Sequence, residues 1–165
     1  MAKRTRTPIP LGLVLIRVVT GAVLVLHGWR WLKAGTLDGV VVRVQVEQAL
    51  PQVSSWLAWW GESVVLANPD AIAFFWRWGA LMIGLSFCAG ALTRPAGVLA
   101  TVFLAHAVVF GTAQQELAFF LLSLSTLVCA ASGAGRRLGL DAMFDDHFPG
   151  WVTWARNRNT GFLRG

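Results

Sequence analysis

Ionisable side chains stand inside or beside apolar stretches at Arg17, His27, Arg30, Arg77, His106 and Glu116. Charged groups in apolar surroundings are costly, so each needs a physical reason to be there. Arginine and histidine donate hydrogen bonds to carbonyl and oxyanion oxygens, and histidine exchanges protons near neutral pH. Three chemistries suit the set. An ion pair of Glu116 with Arg77 or Arg30 would knit helices together. A cluster with more positive groups than the single Glu116 would bind a small anion or a quinone head group. A chain of the same residues would relay protons between the surface and a redox site. The ligand-binding candidates are His27, Arg30, Arg77, His106 and Glu116. Arg17 stands apart, and snorkelling of its long side chain to the membrane surface accounts for it as well as a ligand would.

Other chemistry finds less support. GxSxG, P-loop, GxGxxG and HExxH patterns are all missing, so no catalytic nucleophile and no metal site is expected. Cys88 and Cys129 each lie in an apolar run without a CxxC partner, which reads as two inert thiols. His27 and His106 could pair on a haem, but two histidines without further partners are a weak signal. A quinone is the one cofactor the residues suggest.

The elements that position these groups follow from composition. Of 165 residues, 56% are hydrophobic and only 13% charged, against about 25% charged in soluble domains. Apolar runs at 10–32, 71–92, 96–112 and 117–132 predict a single all-α membrane domain, a four-helix up-down bundle. A core of about 30 Å needs roughly 20 residues at about 1.5 Å each, so the third and fourth runs must extend into their polar flanks. Arg94-Pro95 and Gln114-Gln115-Glu116 read as the breaks, too short for anything but antiparallel hairpins. The Ala2–Arg6 start before Leu11–Leu26 reads as the flank of a retained span, because Arg17 and His27-Gly28-Trp29-Arg30 do not fit a cleaved signal. Gly12, Gly21, Gly79, Gly84, Gly90 and Gly97 mark expected close approaches between helices.

Charge gives the expected orientation. Lys3, Arg4, Arg6 and Arg94, with Arg136, Arg137, Arg156, Arg158 and Arg164, fall on one side of the spans. Lys33 and Arg43 on the other side are offset by Asp38, Glu47, Glu62 and Asp70. The positive-inside rule then puts both termini in the cytoplasm of a bacterial inner membrane. The formal net charge of +6 is explained by lipid head groups, with no call for nucleic acid. The insert 34–70 is too long for a bare loop. Arg43 and Glu47 at i,i+4 and the recurrence of Trp56, Trp59 and Trp60 predict one or two short helices in the outer interface, or a segment over the bundle mouth. The basic tail 133–165, with Trp151 and Trp154, suits the inner membrane face or a partner subunit, and Gly133-Ala134-Gly135-Arg136-Arg137 reads as a helix stop. In this arrangement the polar candidates other than Arg17 gather in the outer half.

Taken together, Arg17…Gly21…His27-Gly28, Gly84 with Leu92-Thr93-Arg94-Pro95, Glu116, and Gly133-Ala134-Gly135-Arg136…Asp141 resemble the DoxX family of four-helix bacterial membrane proteins. That family includes the DoxD-like subunit of thiosulfate:quinone oxidoreductase, and the resemblance spans Leu11 to Asp141. It implies a membrane component of a redox system, of the kind that serves sulfur metabolism or oxidative-stress defence, with the reaction left open. The family commonly has a lysine soon after His-Gly; here Trp29-Arg30-Trp31-Leu32 precedes Lys33, which shifts the basic role to Arg30. The long insert is closer to the DoxD-like branch. A non-catalytic accessory subunit of a larger respiratory or photosynthetic complex is the other reading, since nine tryptophans offer large contact areas.

Overall fold

The computed structural model of the chain describes residues 11–110, 113–132 and 139–142, with backbone alone at 113–116 and 142. Among the described residues every regular element is helical, and there is no strand. The basic tail beyond 142 and the glycine-rich stretch 133–138 lie outside the described residues.

Helix α1 (Leu11–Ala34) takes the first apolar run and stops where Gly35 turns left-handed at φ +60°, a state glycine reaches without a Cβ clash. Helix α2 (Gly39–Ala49) begins at Asp38, whose Oδ1 accepts the Val41 N–H at 2.9 Å. A 3-10 turn leads to α3 (Ser55–Trp60), which runs on as a π turn through Val65. Helix α4 (Pro69–Ala89) has proline at its start and Asp70 in its first turn, both suited to the positive end of a helix. It closes with left-handed Gly90: Gly90 N–H donates to Phe87 O at 3.2 Å and Ala91 N–H to Ser86 O at 3.0 Å, the Schellman pattern. Helices α5 (Thr93–Phe110) and α6 (Ala113–Ser132) follow.

Two expected breaks are corrected. Arg94-Pro95 lies in the first turn of α5, not between helices, because a proline there forfeits an N–H that has no intrahelical partner anyway. The chain turns instead at Gly90–Leu92. Gln114-Gln115-Glu116 likewise belongs to the first turn of α6, so this polar triplet extends the fourth run instead of interrupting it.

Helices α1, α4 and α5 are each long and apolar enough to cross a membrane; the apolar part of α6, Leu117–Ser132, is shorter. Large apolar side chains remain on the outside of all four, including Leu15, Val19, Phe75, Met82, Leu99, Val102, Leu117 and Phe120. Water disfavours so continuous an apolar surface, and lipid accepts it.

Helix α1 packs mainly along α4, and α5 along α6, with further contacts between α4 and α5 and between α1 and α6. Glycine makes the first pair possible. A Cβ on Gly21 would come within 2.8 Å of the Cys88 nitrogen, one on Gly84 within 2.7 Å of Gly21 O and Val25 N, and one on Gly28 within 2.7 Å of Leu81 N. Backbone therefore lies directly on backbone. On α6 a Cβ on Gly97 would meet the Ala130 methyl at 2.6 Å and the Thr126 carbonyl at 3.0 Å. Gly12 and Gly79 do not mark close contacts: nothing lies within 4 Å of a Cβ on Gly12, and Phe103 stands 3.7 Å from one on Gly79. The second pair is joined by hydroxyls as well, Thr101 to Thr126 at 3.1 Å and Ser123 to the Thr101 carbonyl at 3.3 Å.

The insert is part of the core and not only an interfacial segment. Leu37, Val42, Val46 and Val65 are buried in one cluster with Ala73, Trp76, Leu104, Ala107 and Phe110. Its outer side is where Trp56 and Trp59 stand exposed, at 67% and 58%, as head-group-depth rings would.

Candidate functional site

The insert covers one end of the long helices and leaves a cavity of about 210 Å³ beneath it. Helix α1 contributes Trp31, α4 contributes Trp76 and α6 contributes Phe119. The insert closes the space with Thr36 and Leu37 ahead of α2 and with Val41 and Gln45 on α2. Three aromatic side chains with a hydroxyl and an amide suit a small ligand held by ring contacts and polar ones together. Drug-sized sites run to ~300–1,000 Å³, so this one fits a single ring or a small ion, not a dinucleotide.

Both histidine candidates stand one ring behind the cavity wall. The His27 ring meets Trp31 at 5.8 Å and Phe119 at 6.3 Å, edge-on in each case. Its Nδ1 lies 3.0 Å from the Val23 carbonyl. A carbonyl only accepts, so Nδ1 carries the proton in that contact. The His106 ring stands perpendicular to Trp76 at 5.3 Å and tilted on Phe110 at 4.8 Å. His106 Nδ1 and Arg77 Nε are buried with no hydrogen-bond partner among the described residues. Such atoms are exceptions in folded proteins, and both lie on the elements that carry or support Trp76.

The remaining candidates fall differently. Arg30 is exposed on α1, away from the cavity lining. Glu116 is in the first turn of α6, with its side chain outside the described residues, and so is any ion pair it makes with Arg77 or Arg30. The structure thus gathers His27 and His106 around one space, sets Arg77 beside Trp76 in sequence, and leaves Arg30 outside. The lining residues themselves were not legible as a site. Trp31 and Phe119 look like ordinary span residues, and Gln45 looks like a surface residue of a short helix.

A second polar cluster occupies the opposite end, where Arg17 behaves unlike a snorkelling side chain. It is 1% exposed, and a Cβ on Gly90 would reach its Nη1 at 2.5 Å. Asp141, Cys88 and Cys129 lie within its electrostatic reach. The Asp141 carboxylate accepts the N–H groups of Leu92 at 2.6 Å and Thr93 at 3.0 Å, while Asp141 N–H donates to Gly90 O at 2.9 Å. Snorkelling needs a free path to the surface, whereas this guanidinium is packed against Gly90 in the α4–α5 turn. Both cysteines are free thiols, Cys129 fully buried.

Among the described residues no three His, Cys, Asp or Glu side chains come together as a metal site would require. No family model, curated protein or solved structure matches the chain.

Proposed function

We propose that the chain is a membrane-embedded subunit of a quinone-linked redox system and that the cavity under the insert receives the quinone ring. The observation that carries the reading is the cavity itself, which the aromatic residues Trp31, Trp76 and Phe119 line together with the polar residues Thr36 and Gln45. Ring-on-ring contacts of this type contribute about 0.5–1.5 kcal/mol each beyond area burial. Among the described residues no charged side chain lines the cavity, which suits a neutral head group. The DoxX-like pattern of residues supports the same direction.

In this reading α1, α4, α5 and α6 all cross the bilayer. The 20 residues of α6 reach about 30 Å when its polar first turn is counted. Both termini then face the cytoplasm of a bacterial inner membrane and the insert faces outward, as the loop charges favour. A photoreactive azido-quinone tests the proposal. Crosslinking to peptides carrying Trp31, Gln45 or Phe119, competed by unlabelled quinone, is expected; labelling confined to other surfaces overturns it.

The exposed aromatic run Phe74, Phe75 and Trp78, with ring separations of 6.0 and 6.3 Å, favours a second reading, an accessory subunit docked on a larger membrane complex. Purification in mild detergent separates the two: a stable assembly without quinone supports the accessory role.

A further inference from the structure

The insert brings a polar group to the cavity at the edge of its own apolar stripe. On α2, Val42 and Val46 are buried at 2% and 1% exposure and form the stripe that docks on α4 and α5. Gln45 flanks that stripe on the side of Val41, half-buried, and lines the cavity with Val41. The insert's other glutamines, Gln48 and Gln52, are exposed, as are Arg43 and Glu47. A glutamine placed only for solubility belongs with them on the outer side. Thr36, ahead of α2, is the other polar side chain the insert contributes to the lining.

The chemistry of these two groups differs from that of the arginines and histidines found by sequence. An amide both donates and accepts, and so does a hydroxyl. A quinone carbonyl needs a donor, and a quinol hydroxyl needs an acceptor as well as offering a proton. Gln45 serves either form by turning its amide over and Thr36 by reorienting its O–H, without any change of charge. An arginine or lysine, which only donates, would favour the oxidised or anionic form.

We infer that Gln45, supported by Thr36, is the specificity-determining group of the cavity and that it holds the oxidised and reduced forms of a neutral quinone with nearly equal affinity. The inference rests on the quinone reading above. Its consequence is redox neutrality: the ratio of the two affinities is the shift in potential of the bound couple, so a gap below tenfold keeps that shift under about 30 mV for two electrons.

The test uses the full chain in detergent micelles, titrated by equilibrium dialysis with decyl-ubiquinone and, anaerobically, with its quinol. Wild type is expected to bind the two within tenfold of each other. Gln45→Leu, or Gln45→Met where the branched side chain disturbs packing, should weaken both by about tenfold, the effect of losing roughly one hydrogen bond. Gln45→Glu at pH 8 should weaken the quinone selectively, because a carboxylate accepts but cannot donate. A preference above tenfold in wild type, or unchanged binding in the leucine and methionine variants, overturns the inference and leaves the quinone site standing. Binding of neither form by wild type removes the quinone reading itself. Thermal unfolding near the wild-type midpoint separates loss of the contact from loss of the fold.

Discussion

Asp141 Oδ2 accepts the backbone N–H of Thr93 at 3.0 Å across 48 residues of sequence. The first turn of a helix leaves its N–H groups without intrahelical partners, and here a distant carboxylate supplies what a local Ser or Asp ordinarily would. The negative charge also suits the positive end of the α5 dipole. Arg17 and Gly90 complete the arrangement, so the chain after α6 is tied to the turn between α4 and α5.

Removing that tie should lower stability. An N-cap substitution costs about 0.5–2 kcal/mol, and a buried, charge-assisted cap belongs at the upper end. Asp141→Ala is therefore expected to lower the thermal midpoint clearly, and Asp141→Asn, which keeps one acceptor oxygen, to lower it less. Equal effects from the two would show that charge and not hydrogen bonding is what matters.

The α1–α4 crossing predicts a sharp positional contrast. Gly84→Ala places a Cβ against Gly21 O and Val25 N at 2.7 Å, where backbone cannot yield. Overpacking costs about 1–3 kcal/mol or more, so the helices must separate. Gly12→Ala meets nothing within 4 Å and should be neutral or slightly stabilising through helix propensity. Thermal unfolding in detergent checks both.

His106 should show stability and binding moving in opposite directions. Its Nδ1 is buried without a partner among the described residues, and an unsatisfied buried polar atom costs about 1–3 kcal/mol. His106→Leu is expected to keep or raise the midpoint. It also removes the ring that stands against Trp76 at 5.3 Å, so quinone binding should fall severalfold. Arg30→Ala, at an exposed position, should change binding less than twofold; a large loss there would move the site toward the α1 terminus.

The proposed orientation can be read chemically. Val40 on the insert is 69% exposed. Val40→Cys should react with a membrane-impermeant maleimide added to spheroplasts, in a background with Cys88→Ser and Cys129→Ala. Labelling only after the membrane is opened would reverse the topology.

The helical class, the apolar runs and their approximate ends could be read directly from the sequence, because those features depend on local composition. Both hinges were misplaced for a local reason as well. Pro95 and the Gln114–Glu116 triplet carry turn-like residue types, yet proline and polar groups are equally at home in a helix's first turn. His27 and His106 could be picked out because a titratable group in an apolar run is conspicuous. Trp31, Trp76 and Phe119 could not, since an aromatic residue in a span looks the same whether it faces lipid, core or cavity.

By itself, the sequence determined that this chain is helical and apolar enough for a membrane, since hydropathy and helix length are sums over neighbouring residues. Tertiary structure alone decided that Arg17 is buried against Gly90, that Asp141 caps α5, and that Gln45 meets Trp31, Trp76 and Phe119 around one space. Those relationships join residues 14 to 74 positions apart in the chain. They exist only because glycine at 21, 28 and 84 lets α1 lie directly on α4, and because Val42 and Val46 draw the insert down onto the helices it covers.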